Sequence, residues 1–120
     1  MSWCGAGHPP GMLLKREGRD GVFLNSQNPL VGIGVENGKE PAADEINIRR
    51  GDRLVLYTDG LTEAPNRRGL PLGTRHLMDI CLSAFDLDVP DAGARIFSEV
   101  SQFESDRPTD DRTLIVAQIR

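Results

Sequence analysis

Asp59-Gly60 and Asp110-Asp111 are the positions at which this sequence sets acids where a folded scaffold can use them. Asp59 ends the run Leu54, Val55, Leu56, Tyr57 and Thr58, all of strong β character, so an extended segment stops at a carboxylate and a turn residue. An uninterrupted apolar run predicts burial on both faces, with its end at the rim where a fixed group meets solvent. Asp110 and Asp111 stand just before a second apolar run, Thr113 to Ile119. If the two runs are antiparallel neighbours, the end of one lies beside the start of the other and the carboxylates converge. Two unit charges about 4 Å apart repel by roughly 4 kcal/mol at an effective dielectric near 20, so such a cluster needs a cation or a shared proton. Carboxylates and water suit hard cations such as Mg²⁺ or Mn²⁺, and the lack of clustered His or Cys argues against zinc. The plainer alternative is an Asx turn at Asp59-Gly60, the commonest use of that dipeptide.

The segments that position these acids can be followed along the chain. Trp3 to Ala6 reads as the tail of a strand entering the turn Gly7-His8-Pro9-Pro10-Gly11, with Met12 to Lys15 resuming it; this predicts a hairpin with a Pro-rich loop. Gly21 to Leu24 is a short strand. Leu30-Val31-Gly32-Ile33-Gly34 permits a bulge or a close backbone approach, and its GxG lacks the third glycine and the strand-to-helix setting of a dinucleotide site. Glu36 to Ala43 is loop-like. Glu45 to Arg49 alternates apolar and polar residues, which predicts a half-exposed strand that Arg50-Gly51-Asp52 turns back into Arg53 to Thr58. Leu61 to Gly73, rich in Pro and Gly, predicts an irregular, mobile loop in which Glu63 is either an acceptor beside the acids or a solvated side chain. Thr74 is placed to N-cap a helix with Leu77, Met78, Cys81, Leu82, Ala84 and Phe85 on one face. Pro90-Asp91 starts a second helix that carries Ile96, Phe97, Val100 and Phe103 on one side. Strands, then two consecutive helices, then a last strand predict an α+β layer structure, with helices over one face of a mostly antiparallel sheet.

Composition narrows the function classes. A chain of 120 residues supports one core. Its net charge of −4 is spread without a basic block, which makes nucleic acid and anionic membrane poor partners. The sequence holds neither a long apolar run nor a basic-then-apolar leader, so the expectation is a soluble, cytoplasmic protein. Cys4 and Cys81 have no CxxC spacing and are expected as free thiols; His76 falls on a helix surface, and His8 beside Pro9-Pro10 suits a turn hydrogen bond.

Three blocks in order, AGHPP (Ala6 to Pro10), LVLYTDGLTEA (Leu54 to Ala64) and DDRTLIVAQIR (Asp110 to Arg120), resemble the C-terminal half of the metal-dependent PPM-type serine/threonine phosphatases. The stage II sporulation protein E branch, which includes phosphatases of sigma-factor regulation, is the most similar. The resemblance implies half of an αββα sandwich and a centre of two Mg²⁺ or Mn²⁺ ions that hydrolyses phosphoserine or phosphothreonine with a metal-activated water and no side-chain nucleophile. By motif, Asp59 and Asp110 would be metal ligands, Asp111 a neighbour in the surrounding shell, and Gly60 the residue that lets the backbone turn at the centre. The GD-rich and DxSGHG-like blocks of the complete domain have no match here, and Gly5 replaces the usual Asn before AGH. Residues 1–120 are therefore expected to be a single PPM-type domain lacking its N-terminal half. The implied partners are a phosphorylated regulatory protein such as an anti-sigma-factor antagonist, and either the missing half or a second copy in a homodimer that covers exposed strands. A non-catalytic half-domain that binds such a regulator is the alternative.

Overall fold

The apolar run that leads to Asp59 is an inner strand of an antiparallel sheet. The structure, a computed structural model, describes residues 1–28, 42–105 and 110–120. Its elements are β1 (Ser2–Trp3), β2 (Gly11–Lys15), β3 (Asp20–Leu24), β4 (Asp44–Glu45), β5 (Arg53–Tyr57), α1 (Asp59–Thr62), α2 (Thr74–Ser83), α3 (Val89–Phe103) and β6 (Leu114–Gln118). The main sheet runs β3-β2-β5-β6, and β1 pairs with β4 in a second sheet of two short strands. Both are antiparallel, and the architecture is mixed α+β, with three helices among the described residues. The Leu30 to Gly34 segment, and Glu36 to Pro41 of the expected loop, lie outside the described residues.

Strand alternation assigns one sheet face to the core. Met12, Leu14, Val55 and Tyr57 point to the helices and are buried with Leu61, Leu77, Met78, Cys81, Ile96 and Val100. Side chains of this kind contribute about 1.5–3 kcal/mol each on full burial. The helical stripes read from the sequence supply this layer, so both are core. Helix α2 starts one residue earlier than a Thr74 cap would require: Gly73 is the N-cap, and its carbonyl accepts the Leu77 N–H at 3.2 Å.

The opposite sheet face departs from the expectation of burial on both sides. Along β5, Arg53, Val55 and Tyr57 are buried while Leu54 and Leu56 are only half-buried. Val22 and Ile115, on the same face, are 39% and 53% exposed.

Two expected hairpins do not form. Trp3 to Ala6 does not pair with Met12 to Lys15: β1 pairs with β4, and Gly5 takes partners from a distant loop, its N–H donating to Gln27 Oε1 and its carbonyl accepting from Asn28 N, both at 3.0 Å. Glu45 to Arg49 is not a full strand: Glu45 and Ile46 pair with the N-terminal segment, and beyond them side chains take the place of a ladder. Lys15 Nζ donates to the Asn47 carbonyl, and the Arg49 N–H donates to Asp52 Oδ2 at 2.9 Å. The turn at Arg50-Gly51 is present, with Gly51 at φ 91°.

Leu61 to Gly73 is irregular beyond the short helix α1, yet it is firmly tied. Asn66 Oδ1 accepts from the N–H groups of Arg68 and Leu70 at 2.8 and 3.0 Å, while Leu72 N donates to Ala64 O at 2.9 Å. Among the described residues, no helix is long and apolar enough to cross a membrane.

Candidate metal centre

Pairing of β5 with β6 brings the two acidic segments to one end of the sheet. Tyr57 lies opposite Leu114, so the chain leaving β5 runs beside the chain arriving at β6. Thr58 continues the pairing with its side chain as well as its backbone. Its N–H donates to Thr113 O at 3.1 Å, its Oγ1 accepts from Thr113 N at 2.9 Å, and the same hydroxyl donates to Asp111 O at 3.2 Å. Arg112 closes the junction by donating from Nε to Gly60 O at 3.0 Å.

At Gly60 the two segments approach closely. A Cβ there would stand 2.3 Å from the Asp111 carbonyl oxygen, a backbone atom with no rotamer by which to move aside. The resemblance attributes to Gly60 a backbone turn. The structure gives another reason, because Gly60 sits inside α1 without a positive φ, and it is the proximity of Asp111 that excludes a side chain.

The acids themselves are exposed. Asp59 opens α1, a single helical turn whose Thr58 N-cap makes no side-chain capping bond. Asp110 and Asp111 precede β6, and Asp110 Oδ1 accepts the Asp111 N–H at 2.8 Å. A cavity of about 300 Å³ opens at the junction, with Gly60, Glu63, Glu104, Asp110 and Arg112 in its wall. Asp59 does not line it, although it adjoins Gly60. Glu63 is exposed, in keeping with either sequence reading.

Residues 1–120 match the family model of stage II sporulation protein E (SpoIIE). The chain belongs to the SpoIIE family. Its fold is that of part of a PP2C-type phosphatase domain. The SiaA-PP2C domain of Pseudomonas aeruginosa superposes with a TM-score of 0.81 at 19% identity, covering 99% of this chain and 46% of that one. The RsbU and RsbW domains of a Mycobacterium tuberculosis protein give 0.71 at 24%, covering 99% and 32%. The SpoIIE phosphatase domain of Bacillus subtilis, presoaked with Mn, gives 0.61 at 22%, covering 94% and 47%. This SpoIIE-family chain thus spans about half or less of the solved chains it resembles.

Whether these residues suit a metal ion turns on the donors they offer. Asp59 and Asp110 are hard oxygen donors of the kind Mg²⁺ and Mn²⁺ prefer, and a strongly hydrated ion can be held by one or two carboxylates. Among the described residues, however, no group of three or more His, Cys, Asp or Glu is placed to hold an ion. The donor set agrees in kind and falls short in number for a two-ion centre.

Three residues that the sequence reading passed over shape this site. Arg112 and Glu104 form an ion pair whose side chains are only 9% and 3% exposed, joining the end of α3 to the junction. Breaking a buried pair of this kind costs about 3–5 kcal/mol. The DDRT block contains Arg112, but only the fold reveals Glu104 as its partner. Tyr57 is buried below the acids, its hydroxyl without a hydrogen-bond partner among the described residues. Burial, then the nearby Cys81 and Asp59, push its pKa up to about 12.

Proposed function

We propose that this chain forms part of a Mg²⁺- or Mn²⁺-dependent protein phosphatase domain that hydrolyses phosphoserine or phosphothreonine on a cytoplasmic regulatory protein, such as an anti-sigma-factor antagonist. The observation that carries this reading is the junction of the TDG and DDR segments at one sheet end, within a PP2C-type fold. In this reading Asp59 and Asp110 are direct ligands and residues 1–120 are a single domain portion. Thr58, Arg112 and Gly60 fix the spacing of the two acidic segments, and Asp111 supports its neighbour. Further ligands come from polypeptide that supplies the rest of the domain.

When bound, the ions would supply an activated water and charge stabilisation for the transferring phosphoryl group. The chain's own residues then hold and orient, and a side-chain nucleophile is not required. Cys81 agrees with this division: burial pushes its thiol up to about 12, leaving no thiolate at neutral pH. The kinship of the fold with RsbU and with a cell fate determinant supports a regulatory phosphoprotein as substrate.

The lack of a three-donor cluster among the described residues favours one other reading, a non-catalytic module that binds the same regulator. Phosphate release from a phosphoserine protein separates the two. With Mn²⁺, a polypeptide carrying the whole domain should turn over, and Asp59→Asn should lower the rate by at least about 100-fold, the upper range for outer-shell partners. Unchanged activity in Asp59→Asn would remove Asp59 from the centre. Binding of the phosphoprotein with no Mn²⁺-dependent release would establish the interaction module.

A further inference from the structure

At the far end of β5 from the acids lies a cavity of about 360 Å³ with Arg16, Arg19, Arg53, Asp86, Asp88 and Gln118 in its wall. Arg53 is 5% exposed, and the partners of its guanidinium are all neutral. It donates to the carbonyls of Ala84 and Leu87 and to Gln118 Oε1, and its planar group lies 5.0 Å from the Phe85 ring centroid. Those contacts satisfy hydrogen bonds but leave a buried positive charge without a counter-charge in contact among the described residues, an arrangement that favours an anion from outside.

Among the described residues, the charges around Arg53 are one ion pair, one further cation and one further carboxylate. Arg19 is engaged by Asp86 through two bonds of 2.7 Å, which cancels both groups. Arg16 forms no ion pair among the described residues, and its side chain lies over Gly51, which lines the same cavity. Asp88, at the N-cap of α3, makes no capping bond through its side chain. Three guanidinium groups thus face two carboxylates, one of them already neutralised.

We propose that this cavity is an oxyanion site, separate from the metal centre, that takes a phosphate group between Arg16 and Arg53. The planar guanidinium of Arg16 can offer two parallel N–H donors to a tetrahedral oxyanion, and Arg53, whose other N–H groups are taken by Ala84, Leu87 and Gln118, keeps one on Nη1 and its positive charge. The cavity has room for the organic part of a phosphate monoester, so free phosphate and a monoester share the recognising chemistry.

The test uses the 120-residue chain, ¹⁵N-labelled and free of metal, so that a product-like phosphate has no ion to bind. Inorganic phosphate at low ionic strength should shift the amides of Gly51, Leu87 and Gln118 and the Arg53 Nε–H saturably, leaving Gly60 and Asp111 in place. Arg16→Gln, which removes no ion pair among the described residues, should weaken that binding about tenfold without moving the unfolding midpoint. Tighter binding of glucose 6-phosphate than of inorganic phosphate would assign the site to a monoester, and equal binding to free phosphate. Equal shifts with chloride at matched ionic strength, an unchanged affinity in Arg16→Gln, or shifts confined to Gly60 and Asp111 would each overturn the proposal.

Discussion

Asp52, just before β5, and Asp59, just after it, are the same residue type in opposite surroundings. The Asp52 side chain is 2% exposed and accepts the N–H groups of Arg16 and Arg49, at 3.0 and 2.9 Å, with Lys15 Nζ at 3.3 Å. Burial alone would raise its pKa, yet the two backbone donors and Lys15 outweigh it and hold the carboxyl below its ordinary value. Asp59 instead stands exposed on one helical turn, next to a second exposed acidic segment. The protein spends one acid on closing a turn and leaves the other free to meet something from solvent. An acid whose oxygens are filled by the protein is structural; one presented at a strand end is available for function.

Substitutions can sharpen this contrast. Asp52→Ala should lower unfolding free energy by about 2–3 kcal/mol, since it strands two backbone donors and a half-buried ammonium group. Asp59→Asn should change it by no more than about 0.5 kcal/mol, as for a surface position. Denaturant titration of both variants would break the comparison if the costs were equal. Because the folded pKa of Asp52 is depressed, its contribution is complete above the ordinary value of 3.8 and fades as pH falls through the lower folded value. Asp52→Asn should flatten that acid limb.

Glycines near the two ends give a smaller contrast. Gly60→Ala drives a Cβ against the Asp111 carbonyl and should cost about 1–3 kcal/mol by overpacking. Gly51→Ala meets only the flexible Arg16 side chain, so its cost, about 1–2 kcal/mol, comes from the left-handed backbone at φ 91°. Mutating Arg16 to Ala as well should leave the Gly51→Ala cost unchanged, a result that a double-mutant cycle reads directly.

An effect of the opposite sign is expected beneath the acids. Tyr57→Phe deletes a buried hydroxyl with no partner among the described residues, so it should be neutral or stabilising by up to about 1 kcal/mol at pH 7. The raised pKa of Tyr57 means its contribution is intact below 10.0, the ordinary value, and is lost as pH rises toward about 12. Unfolding measured across that window should lose part of its alkaline slope in Tyr57→Phe, with Cys81 supplying the remainder.

Legibility from sequence followed the reach of the forces involved. The strand that ends at Asp59 and the helical stripes beginning at Leu77 and Ile96 are set by local periodicity and formed where they were read, although the strand is fully buried on one face only and α2 stops at Ser83, short of Phe85. Glu45 to Arg49 alternates as well as any strand, yet Lys15 captures its backbone from 32 residues away, which no local pattern announces. Trp3 to Ala6 failed in the same way, through Gln27 and Asn28. At the site the acids were visible as residue types. The clamp between them, Thr58 to Asp111 and Arg112 to Gly60, depended on tertiary pairing that only the fold supplies.

Asp59 and Asp110, if they hold one divalent ion together as proposed, should reveal it through paramagnetic broadening by Mn²⁺. Titrated at sub-stoichiometric levels into the ¹⁵N-labelled chain, Mn²⁺ should broaden the amides of Asp59, Gly60, Asp110 and Asp111 in parallel, leave Gly51 sharp, and lose its effect on both segments when either Asp59 or Asp110 is changed to Asn. Broadening of one acidic segment that survives removal of the acid in the other would show that the two do not share an ion.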